Sequence, residues 1–280
     1  MLGKLMKYEL RSMLRLFFPL WAGIILLSFV NRFVLHSTAA RLAFGGIPAI
    51  ALTVIYVIAI IAAIAIALVV TIRRFYVGLL RDEGYLMFTL PVRSSSLIWS
   101  KCLTSLILIV VTGIVCIASV LILAFTKEVR DTFVSQLPAI LDPIGVENIG
   151  AFLSNLIGSL AVVSVASLFV SIMQAYFSMA VGQLANRHKI GWSIGVFIGF
   201  NLIMSSVISS GVEGLSKINF HSPLLNRIFY SALFMKAPTQ LQMIQLVWIF
   251  FGAIALFNII EGVILYFVTN SILKNHLNLE

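Results

Sequence analysis

The densest set of charged and recognition-capable side chains lies in residues 73–101, RRFYVGLLRDEGYLMFTLPVRSSSLIWSK. Arg73, Arg74, Arg81, Asp82, Glu83, Arg93 and Lys101 are interleaved with Leu79, Leu80, Tyr85, Leu86, Met87, Phe88 and Leu90. The stretch is too polar to lie in a bilayer and too apolar for a plain solvated loop. That mixture suits docking: the apolar residues need a surface to bury against, and the charges can orient it. Catalytic chemistry is much harder to find. No GxxxxGK(S/T), HExxH, GxSxG or CxxC occurs, and His36, His188, His221 and His276 are scattered through unrelated segments. The expectation is a protein with no metal, no cofactor of its own and no active site.

The elements that carry this stretch are set by composition. The chain has 280 residues, 61% hydrophobic and 10% charged, with a mean hydropathy of +1.09. Apolar runs of about 20 residues recur, the length that crosses a hydrocarbon core of roughly 30 Å. The runs are continuous rather than alternating, so helices are expected, not a barrel. The fold class is therefore an all-α polytopic membrane protein with spans at 17–35, 47–72, 102–125, 152–185, 190–210 and 243–269. The net charge of +9 could suggest nucleic acid, but the basic residues flank the apolar runs, which fits membrane orientation instead. Cys102 and Cys116 share one span and form no disulfide framework.

Residues 1–16 read as an amphipathic interfacial helix. Lys4, Lys7, Arg11 and Arg15 fall on one face, and Leu2, Leu5, Met6, Leu10, Met13 and Leu16 on the other. A signal peptide is the competing reading, disfavoured because the basic part is long and itself amphipathic. Glu9 sits in the apolar face. Either its carboxylate reaches water, or it pairs with Arg73, Arg74 or Arg81. Asn31 and Arg32 interrupt the first span near its far end. There Arg32 either snorkels to the interface or lines a substrate path.

The second span carries an alanine row at Ala59, Ala63 and Ala67, and the fourth a small-residue row from Ser164 to Gly182. Residues 126–151 read as an exposed loop with at most a short surface helix. In the fifth span Gly191, Gly195 and Gly199 form overlapping GxxxG repeats, a helix-packing signal whose partner could be in this chain or in a second subunit. Asn201 and Ser205 give that span a polar flank, suited to a pathway or to ordinary interhelical bonding. Residues 211–242 do not span. Within them 224–235 is apolar, short and bracketed by Pro223 and Pro238, as in a re-entrant or interfacial segment. Glu261 is the one acidic residue inside a span, where a charge costs about 3 kcal/mol or more. Its expected place is near the cytoplasmic boundary, as a hydrated carboxylate or a partner for Arg73, Arg74 or the basic N-terminal helix, with a proton or ion site the least favoured reading. No convincing repeat relates the two halves.

With the N-terminus inside, Lys4, Lys7, Arg11, Arg15, Arg73, Arg74, Arg81, Arg93, Lys101, Arg187, Lys189 and Lys274 are cytoplasmic. Arg32, Arg41, Lys127, Arg130, Lys217, Arg227 and Lys236 lie opposite. The excess predicts N-in, C-in topology.

At residues 82–101, DEGYLMFTLPVRSSSLIWSK, the chain resembles ABC-2-type export permeases, in particular the small permeases of Gram-positive bacteria. The resemblance rests on the Asp82–Glu83 acidic pair, Gly84, the apolar segment Tyr85, Leu86 and Phe88, then Leu90-Pro91, Arg93 and the serine-rich entry to a span. It implies a multi-pass subunit of the bacterial cell membrane, a coupling helix at 82–90, a separate ATP-binding cassette ATPase that carries ATP and Mg, and a second permease subunit forming a homo- or heterodimer. Tyr85 and Phe88 would fill a pocket on the ATPase, and Asp82 and Glu83 would meet its basic residues. Membrane lipids are the other partner, and nucleic acid is not one. The implied activity is export of a drug, antimicrobial peptide or lipid-like cargo. A secondary transporter or channel, and an immunity or anchor protein, are the alternatives.

Overall fold

The computed structural model describes residues 2–37, 47–80, 94–141, 148–185, 187–217 and 240–275. Every element in them is a helix: α1 (Leu2–His36), α2 (Ile47–Leu80), α3 (Ser94–Ala124), α4 (Lys127–Leu141), α5 (Ile149–Gly182), α6 (Lys189–Lys217) and α7 (Gln240–Asn275). All but α4 are long and apolar enough to cross a membrane, giving the six expected spans. The proposed re-entrant segment, 224–235, lies outside the described residues.

The helices run past the apolar stretches that announced them. α1 has 35 residues, about 52 Å at 1.5 Å per residue, against a hydrocarbon core of roughly 30 Å. The expected break between an interfacial helix and a first span is absent, and α1 is continuous through Pro19. Met13 and Phe17, placed by sequence toward lipid or within the span, are buried between helices. α2 continues through Arg73 and Arg74 to Leu80, and α3 starts at Ser94, so much of the expected 73–101 loop is helix. The cause is packing: Phe75, Leu79, Leu97 and Ile98 are all at most 1% exposed, and apolar burial of that kind holds a helix where lipid no longer does. Leu79 and Leu80 are therefore core residues and not part of an outward docking surface. Residues 127–141, in the stretch expected as an exposed loop with at most a short surface helix, form the largely exposed 15-residue α4, with a surface ion pair between Arg130 and Asp131 at 3.0 Å.

The chain divides within α4 into two compact units, residues 1–132 and 133–278. In the first, α1 and α3 run parallel and α2 runs against both. Met13, Phe17, Ala67 and Leu108 form one core cluster, and Ile24, Tyr56, Ala63 and Cys116 another. Of the alanine row, Ala63 and Ala67 are buried where the helices meet, as small residues at a close helix contact can be, and Ala59 is half-buried. Polar pairs are threaded through this apolar core: Trp21 Nε1 donates to Thr112 Oγ1 at 3.0 Å, and the Tyr56 and Ser119 hydroxyls share a 2.8 Å bond.

In the second unit α5 and α7 are parallel, and α6 packs antiparallel on α5. Asn148 caps α5 by accepting from Ala151 N. His188, at the entry to α6, has φ 54°, a left-handed conformation that a histidine tolerates better than a bulkier residue would. Phe177 and Phe200 stack across α5 and α6 at 5.6 Å. The two units thus share a plan that no sequence repeat announces. In each, the first and third helices are parallel and joined by polar pairs of similar sequence separation: 91 for Trp21–Thr112 and 92 for Glu9–Lys101, against 93 for Asn155–Trp248 and 91 for Ser167–Asn258.

Candidate functional site

Because α1 and α3 are parallel, their first turns lie level with each other and with the last turns of α2. Glu9 of α1 and Lys101 of α3 meet there, Nζ to Oε1 at 2.7 Å, with side chains only 13% and 5% exposed. The sequence left Glu9 either reaching water or paired with Arg73, Arg74 or Arg81; the structure instead gives it Lys101, at the end of the expected loop. Arg74 donates instead to Ser12 Oγ at 2.6 Å, Arg73 is exposed, and Arg81 lies outside the described residues. The Lys101 stem crosses Gly78 of α2 so closely that a Cβ on Gly78 would stand 2.7 Å from Nζ. One lysine therefore ties all three helices together at the edge of residues 81–93.

Exposed Lys4, Lys7, Arg11, Arg15 and Arg73 ring this end of the unit. Burying those charges in hydrocarbon would cost several kcal/mol each by the scales for mid-bilayer positions, so this end stands at or beyond the membrane surface. The pair is shielded by protein rather than by lipid. Gly78→Ala sets two effects against each other. Helix propensity gains about 1 kcal/mol, while displacing the ammonium weakens a charged hydrogen bond worth about 1.5–3 kcal/mol. The expected net result is a loss of about 1 kcal/mol, read as a lower midpoint in thermal unfolding of the detergent-solubilised chain.

At the other end of the first unit Arg32 donates to the carbonyls of Ile122 and Phe125. It caps the C-terminus of α3, where orphan carbonyls and the helix dipole favour a cation. That position accounts for a charge within a span better than a pathway does. Asn31 is fully buried and accepts from Thr53 Oγ1 at 3.3 Å.

In the second unit, polar pairs link α5 and α7. Trp248 Nε1 donates to Asn155 Oδ1 at 3.1 Å, Asn258 Nδ2 to Ser167 Oγ at 2.8 Å, and Gln174 Nε2 to Glu261 Oε1 at 2.7 Å. Within its unit Glu261 takes its hydrogen bond from Gln174, a neutral partner that the sequence did not name. α7 continues past Glu261 to Asn275, with Lys274 the next charge after it, 13 residues on and about 20 Å along the helix. Asn201 bonds back to the Phe197 carbonyl of its own helix, and Ser205 is exposed. Neither bonds another helix among the described residues. Gly195 and Gly199 have nothing within 4 Å where a Cβ would stand, and Gly191 has only His188 Cβ at 3.9 Å. The GxxxG face therefore packs on no helix among the described residues.

The residues of the proposed coupling segment, Asp82, Glu83, Gly84, Tyr85, Leu86, Phe88, Pro91 and Arg93, lie outside the described residues. Among the described residues no group of three or more His, Cys, Asp or Glu could hold a metal. Taken together, the helices define a multi-pass α-helical membrane protein. The sequence matches no family model, and no curated protein or solved structure is similar to it at a significant level.

Proposed function

We infer that the chain is the membrane-spanning permease subunit of an ATP-driven exporter of the ABC-2 type, in a bacterial cell membrane. It couples a separate ATP-binding cassette ATPase to efflux of a drug, antimicrobial peptide or lipid-like cargo. It has no catalytic site; ATP and Mg belong to the ATPase. The observation that carries this reading is the three-helix tie at Glu9, Lys101 and Gly78, beside a segment whose sequence resembles a coupling helix. Tightly packed helix ends suit force transmission. With Phe75, Leu79, Leu97 and Ile98 buried and Lys101 pinned, a push on residues 82–90 would move α1, α2 and α3 together rather than fray their ends. Pro91 biases Leu90 out of helix, which keeps the coupling element short. The N-in, C-in topology from the Lys and Arg excess puts this end on the ATP side. The open Gly191, Gly195 and Gly199 face supports a second permease subunit.

The test is Tyr85→Ala with Phe88→Ala, made in the complex purified with its ATPase. The expected result is a normally folded chain with ATPase turnover reduced to that of the free ATPase. Turnover still stimulated in the double variant would overturn the assignment. One observation favours a second reading. The shared plan of the two units is the kind of internal symmetry found in secondary transporters, and solute uptake by the purified chain on an ion gradient alone would favour that reading.

A further inference from the structure

Among the described residues Glu261 has no cation paired with it. Among the described residues the ion pairs are Glu9–Lys101 and Arg130–Asp131, and the hydrogen bond to Glu261 comes from the neutral Gln174 amide. An amide dipole steadies one oxygen and leaves the net charge in place. The contrast with Glu9 is direct: each carboxylate sits between two parallel helices of its unit, but only Glu9 has a cation. An ionised group in a span is costly, and the same low-dielectric setting makes any cation that reaches it bind strongly.

The surroundings suit one kind of cation. Glu261, Gln174, Asn258, Ser167 and Phe169 are all half-buried, so the α5–α7 seam is open on one side. Asn258, one turn before Glu261, adds an amide oxygen. The Phe169 ring lies against Gly262, so close that a Cβ there would run into it, which sets an aromatic ring one residue along α7 from Glu261. Carboxylate, amide oxygen and ring together form a receptor for an organic ammonium or similar cation. The turn neighbours of Glu261 on the same helix, Phe257 at 42% and Ile264 at 57% exposure, offer apolar surface to a hydrocarbon tail.

We propose that the seam between α5 and α7 at Glu261 is a binding site for an amphipathic organic cation that enters from the lipid. Binding is an equilibrium property of this chain and needs neither an ATPase nor nucleotide, so it can succeed or fail independently of the transporter assignment.

The experiment places the full-length chain in phosphatidylcholine nanodiscs and titrates it into rhodamine 6G, read by fluorescence anisotropy against empty nanodiscs. Saturable binding is expected, weakened at least tenfold in Glu261→Gln and only a few-fold in Glu261→Asp. Wild-type affinity in Glu261→Gln, or no saturable binding above empty nanodiscs, overturns the site. A second measurement needs no variant. Dodecyltrimethylammonium should displace the probe, and the uncharged octaethylene glycol monododecyl ether should not; equal displacement by both overturns the proposal.

Discussion

Lys101→Met is expected to destabilise the chain by about 3–5 kcal/mol, because it leaves the buried Glu9 carboxylate charged and without its partner. Glu9→Gln alone should cost a similar amount, since it strands the ammonium. The double variant is expected to recover most of the loss. Two ions taken out of water repay their desolvation poorly, and replacing both with groups of similar shape is often neutral or better. Here the recovery has a further source, since Glu9 Oε2 is buried without a hydrogen-bond partner in the structure, and the amide variant removes the charge from that orphaned atom. Met keeps much of the Lys101 stem over Gly78, so packing changes little. The measurement is thermal or denaturant unfolding of all four chains in the same detergent. Equal, additive losses would mean that the pair is screened by water and that the 2.7 Å contact is not an energetic unit.

Gly182→Ala should be the most damaging small substitution in the second unit, at roughly 3 kcal/mol, the upper part of the usual range for overpacking. The added Cβ would overlap Ser193 Oγ and stand 2.8 Å from Ser193 N and 2.9 Å from the Lys189 carbonyl oxygen. A hydroxyl can rotate away, but the first turn of α6 cannot move without separating from α5. Ser193→Gly in the same chain removes the hydroxyl and leaves both backbone contacts, so it is expected to restore less than half of the loss. The comparison with Gly78 shows what decides the size of such effects: there the obstacle is the end of a flexible lysine, and here it is main chain. Unfolding of the two alanine variants side by side checks the ranking, which fails if Gly78→Ala is the worse.

The six spans were legible because lipid imposes a simple rule. A run of about 20 apolar residues can satisfy its backbone only as a helix. Helix ends were less legible for the same reason. Beyond the hydrocarbon the rule lapses, and residues 73–80 and 94–101 look polar enough for loop until Phe75, Leu79, Leu97 and Ile98 are seen to be buried. Neither reading of Glu9, water or an arginine of the loop, named Lys101, because charge density along the chain does not say which helices come level. The deciding fact, that α1 and α3 are parallel and start level, is a matter of tertiary arrangement. Gln174 as the partner of Glu261 was not legible either, because packing decides which turns of α5 and α7 come level.

By itself the sequence determined the chemical class of the solvent each segment meets. It set the number of membrane helices, the basic end of the bundle, the lack of nucleotide and metal motifs, and the acidic-aromatic signature at 82–90. Those follow from side-chain transfer energies, which are local and additive along the chain. Only the tertiary structure decided which charges are neutralised. Lys101 answers Glu9, carbonyls of α3 answer Arg32, and Glu261 is left with an amide. Pairing depends on which helices run parallel and which turns come level, and that emerges from packing across about 90 residues of intervening chain.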